Sequence, residues 1–214
     1  MGIGVLGPAC IEGASLGGRD RKVLAVLVLN GPQWIGAERS ADALWGEDPP
    51  ASRAKVVQGA VSRLRRALWP DAIVSGPGGY RLDVPPDVID ARRFERLVER
   101  AERAVETDPS AAIRCLEEAE SLWRGRPFAD LGDWDQALGT ISRLEERRRL
   151  LDAAVLPSLI DAIDQAIDLG RNGLGPGYEL AARRGEQMTG DELLEYARHA
   201  VSELTGPAQH LTRY

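Results

Sequence analysis

The sequence predicts a mainly α protein made of two unlike parts. A small α+β unit spans residues 1–85 and an all-α unit spans residues 86–169, with residues 170–214 left as a linker and a short C-terminal helix. Three observations carry this. A basic amphipathic stretch, Ser52 to Trp69, is followed at once by a glycine-rich hairpin signal, Ile73 to Val84. Beyond Pro85-Pro86 the apolar pattern has the helical period throughout. Charge divides at the same place: residues 1–85 carry 10 Arg/Lys against 8 Asp/Glu (+2), and the remainder 17 against 25 (−8), within a formal net charge of −6. Such asymmetry points to different partners for the two parts.

A chain of 214 residues with 43% hydrophobic content is long enough to bury one or two cores. The longest apolar run, Val23 to Leu29, is far short of the ~20 residues that span a bilayer, and the glycine-rich, charged segment before it is unlike a signal peptide. A cytoplasmic protein with no membrane partner is expected. Cys10 and Cys115 stand far apart, which supports neither a disulfide framework nor a thiolate metal site; both are expected to be small buried apolar residues. Arginine outnumbers lysine 25 to 2, so arginine richness alone says little and placement must carry the argument.

Taken in order, Ile3, Val5, Leu6 and Ile11, broken by Gly7-Pro8 and Gly13, predict short strands in a small N-terminal sheet. Arg21 to Asn30 is apolar nearly all round and stops at Gly31-Pro32, a helix ending, which predicts a buried helix. A second helix is expected from Ala37 to Trp45, closed by Gly46. In the third, Ser52 to Trp69, a projection at 100° per residue puts Val57, Ala60, Val61, Leu64 and Leu68 on one side. Lys55, Gln58, Gly59, Ser62, Arg63, Arg65 and Arg66 fall on the other, four cations and no acid. Arg53 projects inward, toward a salt bridge. Ile73-Val74-Ser75, a Gly76-to-Gly79 turn and Tyr80 to Val84 then read as strand, turn and strand.

In the second part, Asp90 to Val105 places Phe94, Leu97, Val98 and Ala101 on one face, and Asp108-Pro109 opens a helix running to Trp123. Two further helices are expected, near Trp134 to Leu151 and Ala153 to Leu169. The pairs resemble tetratricopeptide-type (TPR-like) packing, without a clean 34-residue repeat. Gly170 to Gly177 reads as a linker, and Thr189 with Glu192 as the capping box of a last helix.

Motifs for chemistry are weak. Gly2-Ile3-Gly4-Val5-Leu6-Gly7 matches the dinucleotide fingerprint letter for letter, but that motif works only between a strand and a helix whose N-terminus meets the pyrophosphate, and Pro8 follows here. Neither Lys22 nor Lys55 stands in a phosphate-binding loop. With His199 and His210 alone, both in the tail, zinc or general-base chemistry has almost no raw material. The neighbours Glu117-Glu118 and Glu145-Glu146 point in different directions from their helices. No cofactor, no metal and no enzymatic activity are expected.

What stands out is the basic helix with two shorter helices before it and a hairpin behind, the outline of a winged helix that presents its third helix to the major groove of double-stranded DNA. Lys55, Gln58 and Ser62 lie nearest the N-terminus, where base edges are read. Arg63, Arg65 and Arg66 are placed to grip phosphate, and Arg81 on the hairpin to reach an adjacent groove or backbone.

At this point the residues resemble a known family, the antibiotic regulatory proteins of high-GC bacteria (SARP), which join an OmpR-type winged helix to a helical bacterial transcriptional activation domain (BTAD). The carriers are Val5-Leu6-Gly7-Pro8, Leu44-Trp45-Gly46, Pro49-Pro50, Val61 to Leu68, Gly79-Tyr80-Arg81-Leu82, Asp90 with Phe94-Glu95, Leu122-Trp123-Arg124-Gly125 and Arg143-Leu144-Glu145-Glu146. The resemblance implies a transcriptional activator that binds direct repeats near promoters, as a homodimer on DNA, and engages RNA polymerase through its helical half. Two residues depart from the family pattern. Gly59 stands inside the recognition helix, where glycine costs about 1 kcal/mol relative to alanine, and Ser40 stands where relatives bury leucine. Both favour a competing reading, a protein-interaction module with a degenerate winged helix.

Overall fold

The computed structural model describes residues 2–46, 48–104 and 107–151. The helix expected at Ala153 to Leu169, the linker, the last helix and both histidines lie outside the described residues. Strands β1 (Ile3–Gly4) and β2 (Cys10–Ile11) pair antiparallel, Ile3 opposite Ile11. Three helices follow, α1 (Gly18–Asn30), α2 (Ala37–Trp45) and α3 (Arg53–Ala67), then an antiparallel hairpin of β3 (Ile73–Gly76) and β4 (Gly79–Leu82). Helices α4 (Asp90–Ala104), α5 (Pro109–Ser121) and α6 (described over residues 135–151) complete the described residues.

Each element follows from local chemistry. In α1, Val23 to Val28 are all buried, as an all-round apolar helix requires, and the Gly31 amide closes it on the carbonyls of Leu27 and Val28. Helix α2 lies between Gly36 and Gly46 as expected. The apolar face of α3 is Val57, Ala60, Val61 and Leu64, and it packs on both α1 and α2. Helix α4 buries Ala91, Phe94, Leu97, Val98 and Ala101 at helical spacing, and α5 is capped by Asp108, whose carboxylate accepts from the Ala111 amide at 2.9 Å. Three details correct the sequence reading. The second hairpin strand ends at Leu82 rather than Val84, although the Asp83 amide still donates to the Ala72 carbonyl one step further along the same register. Helix α6 starts after Trp134, which sits in the preceding turn. Cys115 is buried, but Cys10 is only half-buried.

One apolar core runs from Ile3 through Leu64 to Leu144 without a break at Pro85-Pro86. The reason lies in the N-terminal hairpin, which packs against the helical part. The Asp90 carboxylate accepts from the amides of Val5 (2.7 Å) and Leu6 (3.1 Å) and from Arg124 Nη2 (3.0 Å). Arg124 returns its own amide to the Leu6 carbonyl and Nη1 to the Pro8 carbonyl, and the Phe128 amide donates to Val5. Asp130 accepts from the Ala9 amide and from Arg21 Nε. The fingerprint-like glycines therefore open a hairpin, not a helix, and a carboxylate of the chain itself takes the Val5 and Leu6 amides. Beyond the junction, arginine–glutamate pairs link the outer faces of the helical part: Arg93 with Glu118, Arg143 with Glu95, Arg147 with Glu102 and Arg148 with Glu120.

Candidate nucleic-acid interface

The polar face of α3 divides into free and engaged side chains. Lys55, Gln58, Ser62 and Arg66 are all exposed. Lys55 and Arg66 have no ion-pair partner among the described residues, whereas the Ser62 hydroxyl donates to the Gln58 carbonyl one turn back at 2.9 Å. Because α3 contains no acidic residue, nothing within the helix neutralises this line.

Arg63 and Arg65 are tied into the fold. Arg63 makes a two-pronged pair with Asp20, Nε to Oδ2 at 2.8 Å and Nη2 to Oδ1 at 2.7 Å. Asp20, in the first turn of α1, is buried although charged, so Arg63 is the partner that makes its burial tolerable. The hydrogen bond to Asp20 and the attraction of the same carboxylate outweigh desolvation and push the Arg63 guanidinium above its ordinary range. Arg65 donates from Nε and Nη2 to the Ile73 carbonyl and from Nη2 to the Ser75 hydroxyl, fastening α3 to β3. These contacts leave Nη1 of each arginine without a partner among the described residues. Arg53, expected to point inward, is half-buried and makes no salt bridge among them.

The hairpin is held beside α3 by the segment before α2. Ile35 exchanges both backbone hydrogen bonds with Tyr80, at 2.8 and 2.9 Å. Gly79 sits there at φ +106°, and a Cβ on it would fall 2.2 Å from the Ile35 carbonyl oxygen, so only glycine allows this approach. Arg81 donates to Asp83 at 3.1 Å and lies over the Trp34 ring. Asp20 and Trp34 are residues of this face that helical projection does not reveal. The signal for Asp20 was a lone acid at the start of an otherwise apolar helix.

Neither residue that departs from the family pattern damages the fold. Ser40 is buried, and its hydroxyl donates to the Gly36 carbonyl at 3.1 Å. Helix α3 runs unbroken through Gly59. Among the described residues no group of three or more His, Cys, Asp or Glu side chains is placed to hold a metal ion, and no helix is long and apolar enough to cross a membrane.

A family model described as the bacterial transcriptional activator domain matches residues 89–174, a span that opens at the Asp90 junction and includes α4 to α6. The chain is also 31% identical to the transcriptional regulator RedD of Streptomyces coelicolor and 33% identical to the regulatory protein DnrI of Streptomyces peucetius, over 68% and 69% of its length. The chain is SARP-like. It spans 45% of RedD and 61% of DnrI, so this SARP-like chain corresponds to about half the length of those relatives. Among solved structures it is similar to Mycobacterium tuberculosis EmbR in complex with a low-affinity phosphopeptide, with a TM-score of 0.66 at 26% identity, over 95% of this chain and 58% of that one. The SARP-like relatives are regulators by name, and none of these three is named as an enzyme.

Proposed function

We propose that this chain is a cytoplasmic DNA-binding transcriptional regulator, an activator whose residues 1–85 form an OmpR-type winged helix. Residues 86–169 form a TPR-like helical unit that contacts RNA polymerase. The observation that carries the DNA reading is the exposed line of Lys55, Gln58, Ser62 and Arg66 on a helix free of acids, backed by α1 and α2 and flanked by a hairpin. Lys55, Gln58 and Ser62 meet base edges and Arg66 meets phosphate. Arg63 and Arg65 keep their internal partners and turn the remaining Nη1 toward the backbone, while Arg81 reaches the duplex from the hairpin. The description of the matched domain, a transcriptional activator domain, supports the activator reading. In this reading two copies bind direct repeats.

Titration of a duplex at increasing salt tests the reading. Arg66→Ala is expected to weaken binding alike on all sequences and to flatten the log–log salt slope by about 0.9, the contribution of one phosphate contact. Gln58→Ala is expected to change which bases are preferred at nearly unchanged slope. A slope untouched by Arg66→Ala contradicts the placement of α3.

A further inference from the structure

A turn of the composition Gly76-Pro77-Gly78-Gly79 would be expected to sample many conformations. Here it has a solid backing. Trp34, 41% exposed, lies against it. A Cβ placed on Gly76 would come 2.6 Å from the indole ring, and one on Gly78 would come 2.7 Å from the Trp34 Cβ, so the backbone of the turn rests directly on the tryptophan. The Arg81 guanidinium carbon stands 4.9 Å from the centroid of the Trp34 ring, within range for attraction between the cation and the π-face. Asp83 holds the same guanidinium at 3.1 Å, and the Ile35–Tyr80 bridge ties the residue after Trp34 to the residue before Arg81.

We propose that Trp34 is the positioning residue for the hairpin's contact with DNA: it splints the glycine turn and holds Arg81 over its ring, so that the guanidinium meets the duplex already oriented. The inference rests on the DNA-binding reading and specifies what sets the hairpin's share of it. Without the indole, Arg81 and the turn would have to be ordered at the moment of binding, and that entropy is charged against affinity.

The test is a double-mutant cycle on duplex affinity in the full chain, with a duplex recovered by selection. Trp34→Ala and Arg81→Ala are each expected to weaken binding about five- to tenfold, and the double variant to be no more than about twofold weaker than either single one, since both remove the same oriented contact. Trp34→Phe keeps a ring under the guanidinium and is expected to stay within about twofold of the parent. Trp34→Ala combined with Arg66→Ala on α3 is expected to multiply, because those sites are independent. That pattern separates positioning from general loss of structure, which thermal unfolding of each variant also monitors. Effects of Trp34→Ala and Arg81→Ala that multiply, Trp34→Ala at parental affinity, or Trp34→Phe as weak as Trp34→Ala each overturn the proposal while leaving the DNA reading in place. A parent chain that is folded and binds no duplex overturns both.

Discussion

Arg63 and Arg66 are three residues apart on one helix, carry the same charge and are both exposed, yet among the described residues only Arg63 has an anionic partner, Asp20. Helical projection placed both on the outer face correctly. It had no means of seeing Asp20, which lies 43 residues earlier and meets Arg63 only once α1 and α3 have packed. The same limit applies to Arg65, whose acceptors are the Ile73 carbonyl and the Ser75 hydroxyl. A long side chain on a legible face can still end on a partner that periodicity does not reveal. Two outcomes follow at this scale. Arg63→Ala is expected to lower the thermal midpoint more than Asp20→Ala, because it strands a buried carboxylate, whereas the reverse change leaves an arginine that water can solvate. In duplex titrations Arg63→Ala is expected to change the salt slope less than Arg66→Ala, since the pair it breaks is already neutral.

At the scale of elements, most of the architecture was readable. The bounds of α2 follow from the glycines on either side, the face of α4 from the spacing of Phe94, Leu97, Val98 and Ala101, and the cap of α5 from Asp108-Pro109. Strand ends were less legible: the alternation of Tyr80, Leu82 and Val84 runs on past Leu82, where β4 ends. Gly59 is the one interior residue of α3 that works against its helix. A Cβ there would approach only the flexible end of Arg63, Nη1 at 3.4 Å. Gly59→Ala is therefore expected to stabilise the protein by about 0.5–1 kcal/mol, seen as a higher denaturation midpoint at unchanged slope. Phe94, fully buried and packed edge-to-face on Trp123 with centroids 5.2 Å apart, is the opposite case. Phe94→Ala is expected to cost about 3–5 kcal/mol by the same measurement.

For the molecule as a whole, the sequence marked a change of character at Pro85-Pro86 but not how the two parts join. The short motifs that carry the family resemblance, Val5 to Pro8, Asp90 and Leu122 to Gly125, look unrelated along the chain. In the fold they meet: Asp90 and Arg124 take the amides and carbonyls of Val5, Leu6 and Pro8. Phe128 even adopts a left-handed backbone, φ +53°, while its amide serves Val5. The continuous core and these hydrogen bonds pack the two parts into one body, which suits the proposed regulator, whose second surface would then stand at a fixed distance from its operator. Asp90→Ala, which removes the acceptor of the Val5, Leu6 and Ala91 amides and of Arg124 Nη2, is expected to cost about 3 kcal/mol or more while both parts still unfold in one transition. Two separate transitions in the parent protein, by calorimetry, would show the junction to be weaker than its hydrogen bonds suggest.

The proposed reading of duplex DNA by α3 stands or falls on binding. The most direct measurement is a binding selection on random duplex with the full chain, followed by salt titration of the recovered sequences. An enriched, repeated motif with a steep salt slope is the predicted result, and failure of demonstrably folded protein to retain any duplex even at low salt would contradict it.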